Sequence, residues 1–309
     1  MIAPTLETIA CDLCGCPDST FLYQVTDQLY GKPGEFRLIQ CAQCGLVYLN
    51  PRPTPQMIGS YYPDLDYHAF TPPNPLKAAL LRNRNARLGR MLLHGLPVGA
   101  NTLEIGCGTG ELLAALQAQG ASVTGIEPNA AAAHEAHKRH RLTVHAGFLD
   151  EWHTRLPPQH YDLIVMKYAL EHVHSPTETL TQIKGLLKPG GVGVFWLPNW
   201  DSWDAQIFGA LWRGIDAPRH LTLFTPATIR LYAEKIGLRC EAVAYSGVPN
   251  DWIGSLGAVL RARGIPKGVT RWVSLENPVM LIAGSPVSQV AAFRQRSGRM
   301  VVRLRNLTV

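Results

Sequence analysis

The chain has 309 residues, 46% of them hydrophobic and 17% charged, with a formal net charge of +6 and a pI near 9.0. These values describe an ordinary globular chain long enough for more than one structural unit, and exclude a short disulfide-rich scaffold. No run approaches the roughly 18 apolar residues of a membrane span, and no apolar segment follows the Lys- and Arg-free first ten residues, so the expectation is a cytoplasmic protein.

Cys11-x-x-Cys14-Gly and Cys41-x-x-Cys44-Gly repeat one pattern 30 residues apart. A tight Cys-x-x-Cys-Gly turn aims two thiolates at one point. Two such turns facing each other make a tetrahedral sulfur site that suits structural Zn²⁺. Four thiolates close the coordination shell, so no catalytic metal is expected there. Cys16 falls outside the pattern, and Cys240 reads as a packing residue. The intervening loop carries strand-like pieces such as 36–40.

Asn50-Pro51-Arg52-Pro53-Thr54-Pro55 ends this unit as a stiff connector. Tyr61, Tyr62 and Tyr67 follow, then a break at Pro72-Pro73. From 76 to 94 the periodicity predicts a helix, with Leu76, Leu80, Leu88 and Leu92 on one face and four arginines elsewhere.

Beyond residue 100, strands and helices alternate. Strands are predicted at 101–105, 122–126, 142–146, 161–166 and 192–197, with helices at 111–118 and 130–140. Leu187-Lys188-Pro189-Gly190-Gly191 is a clear stop before the fifth strand. The alternation implies a mostly parallel sheet with helices on both faces and ligands at the carboxyl ends of the strands. After the first strand, Gly106-Cys107-Gly108-Thr109-Gly110 runs into a helix start, where bare backbone can approach a ligand. Glu127 ends the second strand, placed to accept from ribose hydroxyls. A nicotinamide fingerprint needs Gly-x-Gly-x-x-Gly, and the third glycine here comes one position too early.

Residues 103–110, Glu127, 161–165, Leu170-Glu171-His172-Val173 and 187–191 occur in the order of class I S-adenosylmethionine-dependent methyltransferases, which this stretch of about 150 residues resembles. The resemblance implies a Rossmann-like seven-stranded sheet with an antiparallel last strand, preceded here by a small zinc ribbon. It implies S-adenosylmethionine held by Glu104, Gly106, Cys107, Gly108, Gly110, Glu127, Pro128, Phe148, Leu149, Met166 and Lys167. Glu127 would take the ribose, Phe148 and Leu149 the adenine, and the backbone at Met166 and Lys167 the methionine part.

Methyl transfer to oxygen or carbon also needs a base, and histidine is the first choice. His172 is one candidate. His220, in Asp216-Ala217-Pro218-Arg219-His220, is the preferred one. A similar Pro-Arg-His-Leu segment occurs in zinc-ribbon-bearing methyltransferases of sugar and secondary-metabolite pathways, where the histidine can act as base. Trp196, Trp200, Trp203, Phe208 and Trp212 should wall the acceptor pocket, and Thr225-Pro226 should open the next helix.

The last strands are expected at 240–246 and 279–283, with an apolar, basic insert between them at 252–272. The resulting layout is a four-cysteine, zinc-ribbon-like unit (1–55), a linker and cap helix (56–98), a methyltransferase domain (99–286) with inserts at 198–224 and 248–275, and a basic tail (287–309). The leading function is methylation of oxygen or carbon on a small-molecule acceptor of a secondary-metabolite, glycan or lipid pathway. An RNA methyltransferase and a non-catalytic zinc and cofactor scaffold are the alternatives. Against nucleic acid, Lys167-Tyr168-Ala169-Leu170 stands where base-amino methyltransferases carry Asn/Asp-Pro-Pro-aromatic. The arginines of the tail are the candidate for peripheral membrane contact.

Overall fold

The computed structural model describes residues 5–62 and 75–307, so Tyr67 and Pro72-Pro73 lie outside the described residues. The chain opens with β1 (Leu6–Glu7), β2 (Ser19–Thr26), β3 (Glu35–Cys41), β4 (Val47–Leu49), β5 (Arg52–Pro53) and the short α1 (Pro55–Ile58). β2, β3 and β4 form an antiparallel meander that buries Phe36, Leu38, Val47 and Leu49. The 19-residue helix α2 (Pro75–Leu93) follows and packs on the next unit through Leu92.

That unit runs β6 (Asn101–Ile105), α3 (Glu111–Gln117), β7 (Ser122–Glu127), α4 (Ala130–His140), β8 (Val144–Ala146), α5 (Leu149–Trp152), β9 (Tyr161–Lys167), α6 (Pro176–Leu186) and β10 (Leu187–Pro198). After it come α7 (Trp203–Phe208), β11 (Thr222–Leu223), α8 (Pro226–Ile236), β12 (Leu238–Tyr245), α9 (Asn250–Ala262), α10 (Lys267–Trp272), α11 (Pro278–Phe293) and β13 (Arg299–Asn306). The seven-stranded sheet has the order β12-β13-β10-β9-β6-β7-β8. All neighbours are parallel except β13, which runs antiparallel to both β10 and β12. Leu163, Ile164, Val165 and Met166 are buried in succession, as helices on both faces require. Caps fix the helix starts. Asn129 accepts from Ala131 and Ala132, Ser175 from Glu178, and Thr225 forms a capping box with Thr228.

Sheet order reverses at β6, because β7 and β8 lie to one side of it and β9 and β10 to the other. The carboxyl ends of β6 and β9 therefore flank the crevice where such sheets take ligands.

Two expectations need correction. Residues 279–283 are not a strand but the start of α11, a 16-residue helix opened by Asn277 as N-cap and Pro278 at N1. The seventh, antiparallel strand is β13, so the expected basic tail is an inner strand of the sheet. Met300, Val302, Leu304 and Asn306 point into the core, and the arginines between them are tied down. Arg299 pairs with Asp251, Arg303 and Arg305 with Glu241, and Arg296 with Asp201. Each of these arginines is thus paired with an acid of the fold.

The N-terminal unit is built into the larger one. β11 pairs with β4, giving a four-stranded sheet β11-β4-β3-β2 that draws a strand from the 198–224 insert. Asp12, inside the first cysteine turn, accepts from Ser175, Thr177 and Tyr232 at 2.8–3.0 Å. Arg219, almost wholly buried, reaches Asp27 with two bonds of 2.8 and 3.0 Å.

Candidate functional site

The loop after β6 turns on glycines. Gly106, Gly108 and Gly110 have φ of +76°, +55° and +82°. A Cβ on Gly110 would lie 2.5 Å from Leu142 Cδ1, so neither the backbone conformation nor the space admits a side chain. The loop is clamped by Glu127. Its Oε2 accepts from the Gly108 N–H at 2.8 Å and its Oε1 from the Asn129 N–H at 2.9 Å. Burial pushes the Glu127 carboxyl up while those two N–H groups pull it down. Each oxygen keeps acceptor capacity for a diol.

Glu104 sits beneath the loop, fully buried, with Oε2 lacking a hydrogen-bond partner among the described residues. Burial pushes its pKa up to about 8, against the pull of Lys167. Burial likewise raises the Cys107 thiol, which packs against Leu113 and Leu142. Phe148 is exposed at the start of α5 while Leu149 is buried. Met166 points into the core, so it can offer a ligand only backbone, whereas Lys167 stands at the strand end. Pro128 leads from Glu127 into α4. These are the groups the sequence singled out for S-adenosylmethionine, and they fit it. A buried acid without a partner suits a cation, a carboxylate with spare lone pairs suits a ribose, and bare backbone admits a close ligand.

The histidines are brought together. A 3-10 turn over Leu170–His172 follows β9, and the His172 and His220 rings lie 4.6 Å apart at 75°. His220 Nδ1 is 2.8 Å from the Gly214 carbonyl oxygen. A carbonyl only accepts, so Nδ1 carries the hydrogen and Nε2 is left as the basic nitrogen. His172 Nδ1 is held in the same way by the Arg219 carbonyl at 3.0 Å. Burial pushes His172 down to about 3, and the neighbouring His220 acts in the same direction. Burial lowers His220 too, while Asp216 pulls it back up. His220 Nε2 lies 3.9 Å from both Glu171 Oε1 and Asp216 Oδ2.

Glu171 is completely buried, and neither oxygen has a hydrogen-bond partner among the described residues. Its pKa is pushed up to about 8 by burial. Asp216 is held low, against burial, by Arg219 and then His220. A cavity of about 650 Å³ opens on His220, Glu171 and Asp216, with Tyr168, Trp212 and Arg299 in its wall. Tyr168 (φ +55°) and Asp216 (φ +37°) both adopt left-handed backbone, a strain often held at functional sites. Cavity and glycine loop are neighbours, because a Cβ on Gly106 would meet Ala169, next to Tyr168.

Three groups of this site were not foreseen. Tyr62 Oη lies 3.0 Å from His172 Nδ1, reaching in from the linker. Asp27 holds Arg219, and the Arg299–Asp251 pair with Tyr168 closes one wall. Asp27 and Tyr62 lie far away in sequence, and no local pattern announces them. Of the predicted wall, Trp212 lines the cavity, while Trp200 lines a second cleft beside Cys44.

At the N-terminus Cys11, Cys14, Cys41 and Cys44 converge, all four sulfurs within 4.8 Å of one another. The Cys11–Cys44 and Cys14–Cys41 separations are 3.5 Å. A tetrahedron with Zn–S bonds of about 2.3 Å needs edges of about 3.8 Å, so the four thiols can hold zinc with small adjustment. Gly15 and Gly45 (φ +75° and +74°) donate to the Cys11 and Cys41 carbonyls and close the two turns.

Comparison with known proteins decides what this arrangement is. The Methyltransf_23 family, a methyltransferase domain, matches residues 77–243. The chain belongs to this family. Curated relatives include the ubiquinone biosynthesis O-methyltransferases of Sodalis glossinidius (31% identical over 144 residues, 44% of this chain and 54% of that protein) and Klebsiella pneumoniae strain 342 (30% over 144 residues, 44% and 55%). The chain thus spans about half the length of the curated relatives it matches. Among solved structures, a Galdieria sulphuraria protein assigned as a sarcosine dimethylglycine methyltransferase aligns at a TM-score of 0.51, with 15% identity over 74% of this chain and 87% of that one. A protein assigned as a methyltransferase, in complex with the Haloferax volcanii Trm112 activator, aligns at 0.50, with 17% identity over 76% and 95%. At these identities the likeness establishes the fold, that of the class I S-adenosylmethionine-dependent methyltransferases. No helix among the described residues is long and apolar enough to cross a membrane.

Proposed function

We propose that this chain transfers a methyl group from S-adenosylmethionine to an oxygen or carbon of a small-molecule acceptor, with His220 as the base and a structural zinc ion on Cys11, Cys14, Cys41 and Cys44. S-adenosylmethionine supplies an electrophilic methyl on sulfonium. Glu127 and the backbone of 106–110 hold it, and Glu104 balances its positive charge.

The observation that carries this reading is the state of His220. Its tautomer is set by Gly214, burial lowers its pKa from the ordinary imidazole value, and it stands in the cavity wall beside the strand ends. Its Nε2 takes the proton that an acceptor hydroxyl or acidic carbon must lose as the methyl arrives. Asp216, held ionised by Arg219 and 3.9 Å away, favours the imidazolium that forms. His172, with its low pKa, stays neutral and braces the His220 ring. The enclosing wall keeps the acceptor in line with the methyl, which accounts for much of the rate in a displacement of this kind. The name of the curated relatives favours oxygen over carbon.

The zinc unit acts through position. The Asp27–Arg219 bonds and the β4–β11 pairing fix the segment 216–223 that presents His220. The test is methyl transfer from methyl-tritiated S-adenosylmethionine into fractionated small-molecule and lipid extracts. The reading expects label in a low-molecular-weight product with wild type and its loss with His220→Asn. Label in RNA alone would overturn the acceptor class.

A further inference from the structure

The helix α11 is unusual for a surface helix. None of its 16 residues is charged, yet one side of it faces out. Val279, Ile282, Val290 and Phe293 are exposed at helical spacing, Ile282 by 74% and Phe293 by 85%. The neighbouring α10 adds Val269 and Trp272, the tryptophan 60% exposed. Surface helices normally turn polar residues outward, and a contiguous apolar face marks a surface that meets something. Sixteen helical residues span only about 24 Å, and Pro286 interrupts them, so this helix lies on a bilayer and does not cross it.

Charge identifies the occupant. Between residues 252 and 298 the sequence holds six Lys or Arg and one acid, Glu276. Arg263, Arg271 and Arg294 are exposed and make no ion pair among the described residues, in contrast to the paired arginines of β13. An apolar face with an interfacial tryptophan and a cationic rim is the chemistry of a segment lying in the headgroup region of an anionic membrane. A second copy of this chain would set like charges against each other.

We infer that α10 and α11 form a docking face for an anionic lipid bilayer. α9 connects this face to the acceptor site. Gly254 and Ala258 line the cavity, and the same helix packs on α10 and α11. The docked chain would hold its cavity close to the membrane, where an amphiphilic acceptor resides. No residue of α10 or α11 belongs to the cofactor loop or the cavity wall, so docking can fail while methyl transfer stands.

Flotation of the full chain with vesicles tests it. Phosphatidylcholine alone is compared with phosphatidylcholine containing about 30 mol% phosphatidylglycerol. Wild type should float with the anionic vesicles and release as salt rises. Ile282→Asp with Phe293→Asp should lower the bound fraction at least about tenfold while S-adenosylhomocysteine affinity stays at the wild-type value, showing an intact fold. The inference is overturned if wild type stays with the unbound fraction, or if the double variant floats equally well. It is also overturned if light scattering shows a wild-type dimer that the double variant converts to monomers, since the face then pairs copies of the chain.

Discussion

Replacing Asp27 with alanine probes the link between the zinc unit and the catalytic segment. Arg219 is 2% exposed and Asp27 carries no side-chain exposure, so the pair is dry. The guanidinium makes two bonds to Asp27, two to Asp216 and one to the Tyr61 carbonyl, and stacks 4.7 Å over Tyr30. Removing one partner of a buried pair costs about 3–5 kcal/mol. Asp216 and Tyr61 still hold the cation here, so the cost falls at the lower end, about 3 kcal/mol. At 2–4 °C per kcal/mol for a chain of this size, thermal unfolding should drop by roughly 6–12 °C. Methyl transfer should fall further than stability predicts, because Arg219 precedes His220 and its carbonyl holds His172. Scanning calorimetry and label transfer on Asp27→Ala read both effects. A melting point within about 1 °C of wild type, with normal turnover, would refute the idea that this pair positions the site.

His220→Asn should reduce kcat by about 10²–10⁴ with S-adenosylmethionine affinity preserved. Since burial lowers the His220 pKa, the rate should rise with pH only below about 6.5 and be flat above it, and the variant should lose that acid limb. Glu104, held protonated with a pKa of about 8, should release a proton when the cationic cofactor binds. Near pH 7 the calorimetric binding enthalpy should then scale with the ionisation enthalpy of the buffer and lose that dependence above about pH 9, whereas no buffer dependence at pH 7 contradicts a neutral Glu104. Cys41→Ser should remove the bound zinc measured by atomic absorption and lower the melting point. Unchanged metal content and stability would dismiss a structural metal.

Sequence reading succeeded where local chemistry and structure coincide. Strands β9 and β10 carry the apolar runs 163–166 and 192–197, β6 and β7 are closed by Gly106 and Glu127, and the glycine loop shows its own geometry. It failed at 278–293, because the signal of an amphipathic helix was missing there. Both faces are apolar, so the run resembled a strand, although Asn277-Pro278 marked a helix start. In β13 the arginines disguised a regular alternation, since Met300, Val302 and Leu304 occupy every second position. Asp27 and Tyr62 could not have been read, as they meet Arg219 and His172 across 192 and 110 residues.

The central claim is that residues 104–127 bind S-adenosylmethionine through the carboxylate of Glu127. Titration calorimetry of S-adenosylhomocysteine into wild type and Glu127→Ala tests it most directly. Two charge-assisted ribose bonds amount to about 2–4 kcal/mol, so the variant should bind roughly 30- to 1,000-fold more weakly. Equal affinity in the two proteins, or no binding to wild type, would contradict the account.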